Sequence, residues 1–491
     1  MKSKISRRQF VKLIAAGGVT EAAVTMLSGC TEEFFSGITE PLAGRQRDRG
    51  NLPNFVIIFC DDLGYGDPGC YGHPTIRTPN LDRMAREGQK WTNFYAAASV
   101  CSPSRAALLT GRLPVRSGMC SDKRRVLFPN SAGGLPRREI TIAEALKTRG
   151  YATACVGKWH LGHLPRYLPT HNGFDYYFGI PYSNDMDSVS NRGTSPADLG
   201  EAEPQWWNVP LMRNEEIIER PANQYTLTKR YTREAVRFIR QSKHKPFFLY
   251  FAHTFPHVPL FASKQFDDRS LRGLYGDVVE ELDWSLGKVL QMLKDEALAE
   301  NTLVVFTSDN GPWLTKKQFG GSAGLLREGK GCTWEGGMRE PCVTWWPGRI
   351  KPGVVSGIGS TMDLFTTILK LADAPVPTDR VIDGVDLRPV LFGTGPSPRK
   401  VMFYYRGTKL YAVRKGPYKA HFFTKPAYGR NIKETKHDPP LLYHLAHDPS
   451  EKFDVSKDHP EIIADIRKEV EQHLANLVRG EDQFVKTIKG D

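Results

Sequence analysis

Four continuous apolar runs, each five to seven residues long, are the strongest pattern in the chain. They cover residues 54–60, 152–156, 247–252 and 302–307. Runs without polar alternation are typical of strands that are buried on both faces of a parallel sheet. Segments with helical periodicity precede the last three runs, at residues 141–149, 225–242 and 275–298. This alternation predicts an α/β fold with a large, mostly parallel sheet flanked by helices.

The pattern changes after Ala372, where prolines interrupt the helical and strand periodicity. Shorter strand-like runs follow at residues 401–405, 409–413 and 418–423, and an amphipathic helix is predicted over 460–478. Strands that follow one another without intervening helices favour antiparallel pairing. We therefore expect a main domain over residues 53–395 and a smaller C-terminal subdomain, an antiparallel sheet plus helix, over 396–491.

The amino terminus resembles a targeting signal. Residues 6–12 read SRRQFVK, the twin-arginine export pattern, and a weakly apolar stretch follows that is too short for a bilayer span. The segment LSGC at residues 27–30 is similar to a bacterial lipoprotein cleavage box. We expect removal of residues 1–29, lipidation of Cys30 and a flexible tether over 30–52. The protein would then be exported to the periplasm or cell surface and would contact the membrane through its lipid anchor only; a chance cysteine beside an ordinary cleavage site is the alternative.

Composition narrows the class of protein. A hydrophobic content of 40% and an aromatic content of 11% exclude a disordered chain. The net charge of +13 indicates an anionic partner or substrate. Because basic and acidic residues are interspersed and no basic helix stands out, we do not expect that partner to be a nucleic acid. The eight cysteines form no CxxC pair, which argues against a disulfide scaffold or a zinc finger.

The segment around Cys101 carries the most specific chemical signal. It reads CSPSR at residues 101–105, followed by AALLTGR. Pro103 suits the first turn of a helix and the alanines and leucines after it favour helix, so Cys101 is predicted at a helix amino terminus. That end of a helix carries partial positive charge and free N–H groups, which suit an anion. A buried cysteine at the start of an ordinary helix is the alternative.

Polar residues follow two of the predicted buried strands. Asp61 and Asp62 come directly after the first strand, and Asp309 and Asn310 follow the strand that ends at Thr307. Both pairs are expected at the carboxyl edge of the sheet, where sites form in open α/β folds. Three carboxylates and an amide oxygen are hard ligands, which favour Ca²⁺ or Mg²⁺ over zinc. Acids after strands also cap turns, so either pair alone would be a weak signal.

Together these motifs resemble those of the formylglycine-dependent sulfatases, and they are close to the motifs of arylsulfatase A and N-acetylgalactosamine-6-sulfatase. The matching segments occur in order along most of the chain: DDLGYGD at 61–67, CSPSR at 101–105, GKWHLG at 157–162, PYS at 181–183, PHVP at 256–259, SDNGP at 308–312 and GKGCTWEGGMR at 329–339. The resemblance implies an alkaline-phosphatase-like fold, a catalytic domain over residues 53–395 and hydrolysis of sulfate esters.

The resemblance also implies roles for the site residues. Cys101 is oxidised to formylglycine by a maturation enzyme; one hydroxyl of the hydrated aldehyde attacks sulfur, and the other later expels sulfate. Arg105 lies beside it and offsets its charge. Lys158 and Lys330 bind the sulfuryl oxygens. The implied ligands of Ca²⁺, or alternatively of Mg²⁺, are Asp61, Asp62, Asp309 and Asn310.

Two histidines and a serine complete the implied site. His257 contacts the substrate and donates a proton to the leaving alcohol with the help of Lys330, whereas His160 accepts the proton that triggers sulfate release. Ser183 adds a hydrogen bond to the substrate. Two further histidines have no role in the family pattern, and their place at the pocket is left open: His163 and His253.

Two other functions remain as alternatives. A phosphohydrolase of the same superfamily would share the sheet and the carboxylates but would need a different nucleophile, so Cys101 favours sulfate. A surface lipoprotein that binds sulfated polysaccharide without hydrolysing it is disfavoured, because every implied catalytic residue is present. The basic charge and the predicted export indicate a sulfated carbohydrate as the substrate. The resemblance to N-acetylgalactosamine-6-sulfatase implies a slight preference for galacto-configured sugars.

Overall fold

The computed structural model describes residues 52–189, 193–428 and 432–488. The predicted signal peptide, the predicted lipidation site Cys30 and the tether as far as residue 51 lie outside the described residues. No helix in the described ranges has both the length and the apolar character needed to span a bilayer.

A mixed sheet of eleven strands forms the centre of the described chain. The strands are β1 (Asn54–Cys60), β2 (Gln89–Tyr95), β3 (Ala152–Gly157), β4 (Tyr176–Gly179), β5 (Leu211–Arg213), β6 (Glu216–Glu219), β7 (Phe247–Ala252), β8 (Thr302–Ser308), β9 (Arg339–Trp345), β10 (Gly353–Val355) and β11 (Gly359–Ser360). Their order is β10-β2-β9-β8-β1-β7-β3-β4-β5-β6, with β11 paired to β2. The five strands from β8 to β4 run parallel, whereas β9 is antiparallel to both of its neighbours.

The four predicted strands form the middle of this sheet. β1, β3, β7 and β8 agree with the predicted runs to within one residue, and every residue in them is buried. The prediction of a large, mostly parallel sheet is confirmed. β9 was not identified from the sequence, because it begins with Arg339 and Glu340 and contains Pro341. Its reversed direction places Arg339 at the carboxyl edge of β8 and Trp345 towards the opposite edge.

Helices cover both faces of the sheet. They are α1 (Pro79–Glu87), α2 (Cys101–Thr110), α3 (Pro114–Ser117), α4 (Ile142–Lys147), α5 (Pro196–Leu199), α6 (Leu227–Gln241), α7 (Leu274–Asp295), α8 (Glu335–Met338), α9 (Thr361–Leu371) and α10 (Arg388–Leu391). Val56 and Ile58 of β1 pack with residues of α6 and α7, whereas Ile57 and Phe59 pack with residues of α2 and α9. This alternation is the period of two that a strand imposes on its side chains. The three predicted helices are α4, α6 and α7, with slightly different bounds.

A second sheet and a helix form the C-terminal part, and this prediction is also confirmed. The elements are β12 (Val401–Arg406), β13 (Lys409–Lys415), β14 (Tyr418–Thr424), β15 (Thr435–His444) and α11 (Pro460–Ala475). The strands pair antiparallel in chain order. β15 was not predicted, because it begins with polar residues and has two prolines at its middle, Pro439 and Pro440. The domain boundary at residue 396 stays a prediction.

Buried charges join the small sheet to the large one. Lys419 of β14 is fully buried, and its Nζ lies 2.8 Å from Glu335 Oε1 and 3.1 Å from Glu451 Oε1. Glu335 also accepts a hydrogen bond of 2.6 Å from Tyr95 of β2. Burial alone would raise the pKa of Glu335, but the Lys419 ammonium together with the charges of Arg339 and Arg414 outweighs this effect and lowers the pKa to about 2. Lys419 thus bridges two buried carboxylates from different parts of the chain.

Lys419→Met should destabilise the protein strongly, because both carboxylates would stay buried without their shared cation. Removing one partner of a buried ion pair typically lowers the free energy of unfolding by about 3–5 kcal/mol. Lys415→Met is the matched control on β13, since its ammonium bridges Asp465 and Glu469 at the surface and should contribute less than about 1 kcal/mol. Urea unfolding followed by circular dichroism measures both variants. An equal loss of unfolding free energy in the two variants would show that the buried ion pairs of Lys419 stabilise the protein no more than the surface pairs of Lys415.

Candidate active site

The two acidic pairs meet at the carboxyl edge of the sheet. β1 and β8 pair in parallel with Cys60 opposite Ser308, so the residues that follow these strands are neighbours. The amide N–H of Asp62 donates to Asp309 Oδ1 at 3.1 Å, and Asn310 Nδ2 donates to Asp62 Oδ1 at 2.7 Å. Asp62 has a φ of +65°, a left-handed conformation that turns the chain directly after the strand. The fold therefore brings the predicted metal ligands close together.

Cys101 is the first residue of α2 and faces the same edge. The preceding Val100 has an extended backbone, so the helix begins where the sequence predicts. The Cys101 thiol donates to Asp61 Oδ1 at 3.4 Å, and the residue is only 2% exposed. Burial, followed by the negative charge of Asp61, raises the pKa of the thiol well above its usual value. An unmodified thiol at this position stays protonated at neutral pH and is a poor nucleophile.

Three buried cations offset the three carboxylates. Each cation pairs with a different carboxylate: Arg105 with Asp309, Lys158 with Asp61, and Lys330 with Asp62. Arg105 Nη2 lies 2.8 Å from Asp309 Oδ2, and Lys330 Nζ lies 2.7 Å from Asp62 Oδ2. Lys158 Nζ also donates to Ser183 Oγ at 3.0 Å, which places the predicted serine in the site. The formal charges of these six side chains therefore sum to zero.

The pKa directions show that the balance of charge is incomplete. Burial raises the pKa of Asp309 to about 7, and the charge of Asp61 adds to this effect. Burial also raises the pKa of Asp62, in spite of Lys330. Burial is again the largest single effect on Asp61 and would raise its pKa, but the nearby positive charges, that of Lys158 first, together outweigh it, and the pKa lies well below its usual range. Two of the three carboxylates are therefore short of positive charge, which a bound cation would supply.

Two further observations fit a cation at this edge. Ligand atoms of Asp61, Asp62, Cys101 and His257 all lie within 4.8 Å of one another. This cluster shares two residues with the predicted ligand set and adds Cys101 and His257. The Oδ1 atom of Asn310 is buried and has no hydrogen-bond partner among the described residues. A buried amide oxygen without a partner is costly unless a cation or another donor satisfies it.

Both predicted catalytic histidines are buried, and each has one ring nitrogen against a backbone carbonyl. His257 Nδ1 lies 2.6 Å from the carbonyl oxygen of Val258, and its Nε2 lies 3.7 Å from Asp62 Oδ2. His160 Nε2 lies 2.9 Å from the carbonyl oxygen of Leu127, and its Nδ1 has no hydrogen-bond partner in the described ranges. Burial lowers the pKa of both rings well below the usual value. Each ring is therefore neutral at neutral pH, and one nitrogen can accept a proton.

The two histidines without a family role pack against aromatic rings. His253 is buried against the ring of Phe251, with 4.2 Å between the ring centroids. His163 packs edge-on against Tyr182 at 5.7 Å. Neither makes a hydrogen bond or an ion pair with the acidic pairs within the part of the chain that the structure describes.

Asp185 and Glu340 lie near the site and were not identified from the sequence. Burial raises the pKa of Asp185 against the opposing charge of Lys158, and its carboxylate is hydrogen-bonded to Ser183. Glu340 of β9 is fully buried, and neither carboxylate oxygen has a hydrogen-bond partner among the described residues. Burial and then the charge of Asp309 raise its pKa well above the usual value, which favours the protonated acid. The sequence offered one signal for Asp185: it follows the aromatic run of β4, and that strand ends at the same edge of the sheet. No comparable pattern in the sequence indicates Glu340.

Comparison with known proteins agrees with this geometry. Residues 53–374 match the sulfatase family, and residues 397–489 match the C-terminal region of aryl-sulfatase. Arylsulfatase A from Homo sapiens is 46% identical over 428 residues, which cover 82% of this chain and 83% of the relative. N-acetylgalactosamine-6-sulfatase from Canis lupus familiaris is 44% identical over 471 residues, which cover 88% of each chain.

Solved structures share the same architecture of a large sheet and a small C-terminal sheet. The crystal structure of Ps i-CgsB in complex with k-i-k-neocarrahexaose superposes with a TM-score of 0.74 and 30% identity, covering 89% of this chain and 95% of that chain. The fold is thus the alkaline-phosphatase-like fold of sulfatases. The chain belongs to the sulfatase family and is an arylsulfatase-like hydrolase of sulfuric esters.

Proposed function

We propose that this sulfatase removes sulfate from sulfated carbohydrates, with Cys101 converted to formylglycine as the nucleophile and Ca²⁺ as the bound cation. The observation that carries the proposal is the position of Cys101, which begins α2 within 3.4 Å of a buried aspartate. The family motif around this residue supports its conversion by a maturation enzyme. The formylglycine hydrate would supply the attacking hydroxyl in place of a protonated thiol.

The carbohydrate part of the proposal is supported by relatives and by charge. One relative is named for 6-sulfated N-acetylgalactosamine, and a similar structure contains an oligosaccharide. Residues 1–29 hold five of the 67 basic and one of the 54 acidic residues, so the remaining chain has 62 basic and 53 acidic residues, and this net charge of +9 favours a polyanionic substrate. Export by the twin-arginine signal and anchoring through a lipid on Cys30 belong to the same proposal, because they would bring the enzyme to extracellular or periplasmic polysaccharide.

The cation would be held by oxygen ligands at the end of β1 and β8, with Mg²⁺ as the alternative to Ca²⁺. The proposed ligands are Asp61, Asp62, Asp309 and Asn310. When bound, the cation supplies positive charge that polarises the oxygens of the sulfate ester. Without the cation, the three positive and three negative side-chain charges of the site sum to zero. The added charge of the cation would make the pocket positive and suited to a monoanionic ester.

Side chains of the site would move the protons. His257 is the proposed donor to the leaving alcohol, because its Nε2 is not bound to a backbone group and lies 3.7 Å from Asp62 Oδ2. That carboxylate and the anionic substrate would stabilise the second proton on the ring. Lys330 can assist, since its ammonium pairs with the same oxygen. His160 is the proposed base for sulfate release, because the lone pair of its Nδ1 lacks a hydrogen-bond donor among the described residues.

Asn310→Ala should weaken Ca²⁺ binding by about tenfold or more, because it removes a ligand and leaves the pair between Arg105 and Asp309 in place. Calorimetric titration of chelator-treated protein with Ca²⁺ measures this directly. The thermal midpoint of the wild type should rise with Ca²⁺ more than that of the variant, and Zn²⁺ should have a smaller effect than Ca²⁺. Asn93→Ala, on β2, is the control and should bind as the wild type does. An unchanged affinity in Asn310→Ala would mean that the cation lies elsewhere.

His257→Ala should slow the hydrolysis of sulfated sugars far more than that of nitrophenyl sulfate. An alkoxide needs protonation as it leaves, which is typically worth about 10²–10⁴-fold in rate, whereas nitrophenolate leaves unaided. His160→Ala should slow both substrates and let the sulfated enzyme accumulate, which intact-protein mass spectrometry detects. His163→Gln is the control, because the His163 ring packs against Tyr182 and makes no hydrogen bond or ion pair with the acidic pairs in the described ranges; it should leave both rates close to those of the wild type. A loss of the same factor on both substrates in His257→Ala would rule out its role as the general acid.

A further inference from the structure

A basic cavity lies beside the nucleophile, between the start of α2 and the C-terminal sheet. Its volume is about 380 Å³, and its wall includes Val100 and Pro103, which flank Cys101, together with residues of β12 and β13. Cavities of this size accommodate small ligands such as a single sugar residue. The catalytic cations Arg105, Lys158 and Lys330 do not line the cavity, so its charge comes from a different set of residues.

The charge of this cavity is strongly unbalanced. Six of its lining residues are cations: Lys123, Arg124, Arg125, Arg406, Lys409 and Lys425. Two are acids, and of these Glu434 pairs with Lys409, whereas Asp122 accepts hydrogen bonds from Thr408. Within the described residues, five of the cations have no carboxylate partner: Lys123, Arg124, Arg125, Arg406 and Lys425. Cations around one cavity repel one another, and a bound anion would relieve that repulsion.

Tyr428 links the cavity to the catalytic cluster. Its amide N–H donates to the carbonyl oxygen of Lys330 at 3.1 Å. Its ring lies so close to Gly331 that a Cβ there would come within 2.6 Å of the ring. The guanidinium groups of Arg125 and Arg406 lie 4.5 and 5.8 Å from the centre of the same ring. A ligand held by these two arginines would therefore be next to the segment that carries Lys330.

We propose that this cavity is a second anion subsite, which binds a sulfate or carboxylate group on the sugar next to the one that loses its sulfate. Arg125 and Arg406 are its principal ligands, because both contact Tyr428 and both can offer paired N–H donors to an oxyanion. The inference rests on the proposed carbohydrate function. It narrows the substrate class to glycans that carry anionic groups on neighbouring sugars.

Defined disaccharides test the subsite. All contain one 6-sulfated N-acetylgalactosamine, and the neighbouring sugar is neutral, sulfated or a uronic acid. The wild type should have a lower KM for both anionic disaccharides than for the neutral one. Arg125→Ala and Arg406→Ala should each raise the KM for the anionic disaccharides by about tenfold with little change in kcat, since each removes one charge-assisted contact. Arg406→Lys should recover part of this loss, and added salt should weaken the preference.

Nitrophenyl sulfate and a distant arginine provide the controls. The rate on nitrophenyl sulfate, which has no neighbouring sugar, should be the same in both alanine variants. Arg349→Ala removes the same charge from an exposed position beyond the Trp345 end of β9, and it should leave every KM unchanged. An unchanged preference for anionic neighbours in both cavity variants would overturn the subsite, as would an equal loss on nitrophenyl sulfate. If nitrophenyl sulfate is hydrolysed and no disaccharide is, the carbohydrate function and the subsite both fail.

Discussion

Three carboxylates are buried side by side at the ends of β1 and β8, and their mutual repulsion is the constraint that the rest of the site satisfies. Each has a buried cation of its own, yet the pKa of Asp309 is still raised to about 7 by burial and by the charge of Asp61. The three buried cations therefore do not fully stabilise the negative charge at this edge of the sheet. A divalent cation would complete that stabilisation and leave a surplus of positive charge for an anionic ester, so one electrostatic arrangement accounts for both the metal and the substrate of a sulfatase.

The fold holds this arrangement through a few close backbone contacts. The register of β1 and β8 sets the acidic pairs side by side, and α2 carries Cys101 and Arg105 one helical turn apart, so both reach the carboxylate of Asp61. At the end of β3, a Cβ at Gly157 would lie 1.7 Å from the carbonyl oxygen of Ala252. Only glycine allows this approach, which brings the following Lys158 to Asp61.

Much of this could be predicted from the sequence, because the signals are local. Buried strands are continuous apolar runs, and the acids, the cysteine motif and the lysines stand in short, specific segments. Contacts between distant segments could not be derived from local patterns: His257 lies near Asp62 because β7 pairs in parallel with β1, and Glu340 is buried near the acids because β9 reverses in the sheet. The basic cavity was missed for the same reason, since it joins the loop with Arg125 to a sheet that contains Arg406, far along the chain.

The most direct test of Cys101 as the converted nucleophile is the mass of its peptide, measured together with sulfatase activity. Enzyme should be produced with and without a formylglycine-generating system. Conversion should make the peptide about 18 Da lighter than the cysteine form, and the release of sulfate should rise in proportion to the converted fraction. If protein with an intact thiol at this position hydrolyses sulfate esters as fast as the converted protein, Cys101 does not act as formylglycine.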